Sequence, residues 1–92
     1  MNYIDVKNKK KPGDKFPPYG YVSWLDFWEK KSGKKAEDCL VMSCKGNADE
    51  GGHVIKPGEE EKEYILPLCH KHYSLSENDL FEALEDGLVP VD

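Results

Sequence analysis

The chain has 92 residues, 34% of them charged, a net charge of -5 and three cysteines. A chain this small holds one domain with a thin core, and such domains often need a metal, a disulfide or a partner to hold them together. Three cysteines cannot all pair with one another, which disfavours a disulfide framework, and an acidic chain repels phosphate backbones, which disfavours a general nucleic-acid binder.

No secretory apolar segment follows Met1, and no run approaches the ~18 apolar residues of a membrane span. The expectation is a soluble, cytoplasmic protein whose thiols stay reduced and available to metal. Residues 1–21 include "KNKKKPGDKFPPYGY". They lack periodicity, are rich in Lys, Pro and Gly, and read as a flexible N-terminal segment. Residues 22–92 read as a single zinc-stabilised domain. The lysines fall in two groups, Lys7, Lys9, Lys10, Lys11 and Lys15, then Lys30, Lys31, Lys34 and Lys35. Both read as solvated charge.

The first helix is announced by Ser23 before "WLDFWEKKSG". Ser23 suits an N-cap, Asp26 the first turn, Lys30 and Lys31 the last turn, and Gly33 the left-handed stop. Trp24, Leu25, Phe27 and Trp28 form its apolar face, a core-facing surface.

Turn residues Gly46, Asn47, Gly51 and Gly52 follow. "HVI" and "EYILPL" flank Pro57-Gly58, which fits the centre of a type II turn. The spacing predicts a β-hairpin pairing residues 52–56 with 63–67. A helix start is predicted at Cys69 or His70. Beyond it, "ENDLFEALEDG" predicts a C-terminal helix with Leu80, Phe81 and Leu84 inward and either Ser74 or Ser76 as its cap. The closing "LVPV" reads as a short extended piece.

The chemistry lies in two pairs, Cys39-x4-Cys44 and Cys69-x2-His72. A structural zinc site takes four nitrogen or sulfur ligands in a tetrahedron. At a helix start, the third residue on returns to nearly the same face, after about 300° of rotation. His72 can therefore share an ion with Cys69, while His70 is turned about 100° away. The expected ligands are Cys39, Cys44, Cys69 and His72, and the expected ion is Zn2+. His53, behind Gly51-Gly52, is the alternative fourth ligand. A knuckle, a hairpin and a ligand-bearing helix start make a treble-clef arrangement. The expected fold is therefore α+β, a small treble-clef zinc finger with an N-terminal Trp-rich helix and a C-terminal helix.

The Trp24/Trp28 helix, "C-x4-C", "GGHV", "YILPLCHKH" and the tail "LVPV" together resemble a family of short bacterial proteins with HNH-like treble-clef zinc fingers. The resemblance runs from residue 24 to residue 73 and implies a fold and a structural zinc, with no settled activity. In HNH endonucleases a strand histidine acts as general base, and His53 matches that position. The orienting asparagine position is Tyr64 here, and the metal-holding histidine position is Tyr73. A neutral phenol is a poor ligand for the divalent ion that such hydrolysis uses.

Three functions remain. The favoured one is a non-catalytic, zinc-stabilised module that binds a protein partner. The alternative is an HNH-type endonuclease or nucleic-acid binder using His53 with Lys30, Lys31, Lys34 and Lys35. A zinc hydrolase needs a three-ligand ion with an open position and a poised base, which the four-ligand set does not offer.

Overall fold

The computed structural model describes residues 2–9 and 16–91. Within them lie strand β1 (Tyr3–Asn8), helix α1 (Trp24–Ser32), strands β2 (Glu50–Lys56) and β3 (Glu59–Leu68), the short helix α2 (His70–Tyr73), and strands β4 (Phe81–Leu84) and β5 (Val89–Pro90). A single 3-10 turn, Glu85–Gly87, joins the last two. The described strands form one sheet in the order β4-β1-β2-β3-β5, and every pair is antiparallel. The fold is a small α+β one.

Helix α1 forms where its caps ask for it. The Ser23 hydroxyl accepts from the Asp26 N–H at 3.0 Å, and the Asp26 carboxylate accepts from the Val22 N–H at 3.1 Å. These bonds satisfy donors that a helix start leaves without partners. The Val22 N–H, then Lys30 at 3.1 Å, hold the Asp26 carboxyl below its usual range. Gly33 ends the helix at φ 74, a left-handed conformation that costs glycine little.

The hairpin of β2 and β3 also follows the sequence. Lys56 pairs with Glu59 around Pro57-Gly58, and Gly58 has φ 84, the positive value that the third position of a type II turn requires. The paired strands run from Glu50 to Leu68, a little longer than expected. Side chains alternate across a strand, so β3 feeds two cores. Tyr64, Leu66 and Leu68 pack on one face with Val6, Val54, Phe81 and Ala83. Ile65 packs on the other face with Phe27 and Trp28 of α1. The Trp28 indole donates to the Gly87 carbonyl at 2.7 Å, tying α1 to the 3-10 turn.

Two expectations fail. The flexible segment expected over 1–21 does not hold for residues 3–8, which form β1: Val6 is fully buried and the strand lies between β2 and β4, while residues 10–15 of the expected segment lie outside the described residues. The domain therefore includes residues that the sequence had set outside it. Only Ile4 and Val6 supply inward apolar groups, and the Lys-rich run behind them hides the strand. The strand exists because both its edges are paired, Asn8 against Val54 on one side and Tyr3–Val6 against Phe81–Leu84 on the other. Lys10, Lys11 and Lys15 lie outside the described residues.

The second failure is the C-terminal helix. "FEAL" forms strand β4 instead, with Phe81 and Ala83 inward. Its second edge is also paired: the Met42 N–H donates to the Glu82 carbonyl at 2.8 Å and the Leu84 N–H to the Leu40 carbonyl at 2.9 Å. Four residues of helix propensity cannot outweigh a ladder on both sides. Leu80, expected inward, is 56% exposed. Ser76 accepts from the Asn78 N–H at 3.1 Å in a turn rather than capping a helix.

Candidate metal centre

Residues 39–47 form the first half of the site. The Cys39 N–H donates to the Gly46 carbonyl at 3.0 Å, and the Cys44 N–H returns to the Val41 carbonyl at 3.0 Å. Ser43 supplies the reversal with φ 63. The loop is fixed to the sheet by the Leu40 N–H on the Pro67 carbonyl at 3.1 Å, and Cys39 and Cys44 also pack against the core, so backbone pairing and side-chain packing together aim them.

Strand β3 delivers the second half. It runs into Cys69, which precedes α2 with extended dihedrals, φ -73 and ψ 165. His72 follows three positions later, one turn away. The ligand atoms of Cys39, Cys44, Cys69 and His72 all lie within 4.8 Å of one another. Cys69 Sγ is 3.2 Å from His72 Nδ1, Cys39 Sγ is 3.7 Å from the same nitrogen, and Cys44 Sγ is 3.9 Å from Cys69 Sγ. Around a tetrahedral ion with metal–sulfur bonds of about 2.3 Å, sulfurs stand about 3.8 Å apart and sulfur and nitrogen about 3.6 Å apart. The two sulfur–nitrogen separations fall either side of their edge and the sulfur–sulfur separation lies close to its own, so the cluster fits such an ion.

The metal-free electrostatics are uneven. Burial pushes the Cys39 thiol up to about 12. Burial also opposes ionisation of Cys69, yet the His72 N–H, the neighbouring thiols of Cys39 and Cys44, and the Lys71 N–H together hold it below the ordinary thiol value. Burial, then the Lys71 charge, lowers the His72 imidazole. One sulfur is therefore predisposed to be a thiolate and the ring to be neutral, the forms that bind a cation.

Two residues absent from the expected site complete it. Gly46 donates its N–H to Cys44 Sγ at 3.4 Å, and a Cβ there would stand 3.1 Å from the Cys69 Cβ and 3.5 Å from Cys44 Sγ. The sequence marked Gly46 only as a turn residue. Asn8, 5% exposed, donates its side-chain amide to the carbonyls of His72 at 2.9 Å, Tyr73 at 3.3 Å and Leu75 at 3.0 Å. Nothing local in the sequence points to a residue so distant from α2.

His70 stands apart, exposed, with its ring against Ser74 Oγ at 3.4 Å. His53 stands apart for a different reason. Its neighbour Gly51 abuts Trp24 and Leu25, whereas Gly52 abuts Leu68 and Tyr73. By strand alternation His53 shares the face of Gly51. Its ring meets Trp24 edge to face at 4.5 Å and its Nδ1 lies 3.3 Å from Glu63. It is thus on the α1 face, across the sheet from Tyr73, and the cluster takes its imidazole from His72. Tyr64 is buried among the core residues on the α2 face.

No protein-family model, curated protein or solved structure matches the chain. Among the described residues no helix is long and apolar enough to cross a membrane.

Proposed function

We propose that the chain is a treble-clef module held by one structural Zn2+ on Cys39, Cys44, Cys69 and His72, and that it serves as a non-catalytic binding unit for a protein partner. The observation that carries the zinc reading is the convergence of three sulfurs and one nitrogen within 4.8 Å, from two chain segments either side of a hairpin. Soft thiolates with one imidazole in a closed tetrahedron suit zinc. Four protein ligands leave no open position for a substrate, which argues for structure rather than hydrolysis.

The partner reading rests on residues 16–22. Phe16, Tyr19 and Val22 are 83%, 104% and 88% exposed, in a chain whose buried core is small. A turn at Gly20 (φ 97), closed by the Tyr21 N–H on the Pro18 carbonyl at 3.2 Å, lies within this stretch. Large apolar groups left in water this close together in the chain support a surface that a partner would cover. Elemental analysis of the purified chain tests the zinc reading. One zinc per chain supports it, and a metal-free chain with an unchanged melt in chelator removes it. The nuclease alternative finds no support in the placement of His53, which packs against Trp24 and Glu63.

A further inference from the structure

We propose that Asn8 is a positioning residue for the metal centre, the group through which strand β1 holds His72 in ligating geometry. The proposal rests on the zinc reading above and deepens it.

Helix α2 has only four residues, His70–Tyr73. A helix that short has no stability of its own, because one turn fixes several dihedrals for one or two hydrogen bonds. Its geometry must be imposed from outside. The metal would do this through Cys69 and His72. At its C-terminal end the helix stops after one turn, where the His72 carbonyl accepts from the Leu75 N–H at 3.3 Å. The Asn8 amide adds a shorter bond to that carbonyl from the sheet. Its two N–H groups serve the carbonyls of His72, Tyr73 and Leu75 at 2.9, 3.3 and 3.0 Å.

Asn8 can do this because its backbone is itself anchored. It pairs with Val54 in β2, next to Val6, which is fully buried. The amide is held near the end of α2 by the sheet, and the sheet reaches α2 by a route independent of the Cys69 junction. The His72 ring also rests on Phe81, 5.9 Å between centroids, and Phe81 is the register partner of Val6. The imidazole is thus set by the β1–β4 pair on one side and by the Asn8 clamp on its own carbonyl. Groups that orient a ligand typically change metal affinity by about 10–100-fold when removed.

A residue that merely stabilised the fold would not act on the ion selectively. Two variants separate donor from volume. Asn8→Ala removes the amide, and Asn8→Asp keeps its shape but presents a carboxylate that cannot donate to carbonyls. Ile65→Ala is the control: fully buried, on the opposite face of the sheet with Phe27 and Trp28, and without a hydrogen-bonding side chain. Each protein is prepared loaded with zinc, and the rate of zinc transfer to an excess of a chromophoric chelator is measured. The cobalt-substituted forms report ligand geometry through their d–d absorption. Both Asn8 variants should release zinc at least about tenfold faster than the native chain and show a shifted cobalt spectrum. Ile65→Ala should change release less than about threefold and leave the cobalt bands in place. Equal acceleration in Asn8→Ala and Ile65→Ala would reduce Asn8 to a fold residue and overturn the proposal. So would native release in either Asn8 variant. A native chain that takes up no zinc would overturn the zinc reading and this proposal with it, whereas a native chain that binds zinc beside unaffected Asn8 variants overturns the Asn8 proposal alone.

Discussion

The rings of Trp24 and His53 meet edge to face, 4.5 Å between centroids, on the face of the sheet that α1 covers. That contact assigns His53 to the helix–sheet core, with Glu63 at 3.3 Å from its Nδ1. His53→Ala should therefore leave the zinc content at the native level. It should cost roughly 1–3 kcal/mol through lost packing and a disturbed Glu63 partner. Plasmid and single-strand cleavage assays with Mg2+, Mn2+, Ni2+ or Zn2+ should show no cutting in either protein. Metal-dependent cutting that disappears in His53→Ala would restore the nuclease reading.

The ligands should rank by chemistry and by angle. Cys69→Ser replaces a thiolate with a much weaker ligand and should abolish stable folding, read as loss of the native circular dichroism spectrum. His72→Ala should be nearly as severe. His70→Ala should move the melting midpoint by only a few degrees, because its ring lies outside the cluster against Ser74. An exchange of phenotypes between His70→Ala and His72→Ala would show that the wrong imidazole has been placed on the metal.

Truncation of residues 1–9 should be destructive. It removes the strand between β2 and β4, the fully buried Val6 and the clamp on α2. The loss of Val6 alone should cost on the order of 2 kcal/mol, and the exposed edges of β2 and β4 add to it. A truncated chain that melts within about two degrees of the native one would show that β1 is not part of the folded unit.

Acid should strip the metal. The His72 ring is depressed by burial and by Lys71. The folded chain then binds fewer protons than the unfolded chain, so lowering the pH through about 6.5 favours unfolding. Zinc works in the same direction, since it needs a neutral ring and thiolates. Melting midpoints should hold above about pH 7 and fall below about pH 6.5. Burial raises the Cys39 thiol to about 12, so this ligand must give up a proton to bind the ion. Zinc binding at pH 7 should consequently release at least about one proton per chain, measured by calorimetry in buffers of different ionisation enthalpy.

Much of the site could be read from spacing because its geometry is local. Cys69 and His72 are one helical turn apart, Cys39 and Cys44 flank a short turn, and Pro57-Gly58 closes the intervening hairpin. Helix α1 was legible from Ser23 and Gly33 for the same reason. Strands β1 and β4 were not, because their partners lie far along the chain and "FEAL" suits either periodicity. Asn8 escaped with them, since an amide that clamps α2 carries no signal until β1 is in the sheet. Gly46 was visible as a turn, but its closeness to Cys69 appears only once the two halves of the site meet.

A closed zinc site of three sulfurs and one nitrogen has a distinct X-ray signature. Zinc K-edge absorption on the purified chain, with elemental analysis of the same sample, should give one zinc per chain, three sulfur neighbours at about 2.3 Å and one nitrogen at about 2.0–2.1 Å. A shell with two or more nitrogen or oxygen neighbours, or a folded chain with no zinc, would contradict it.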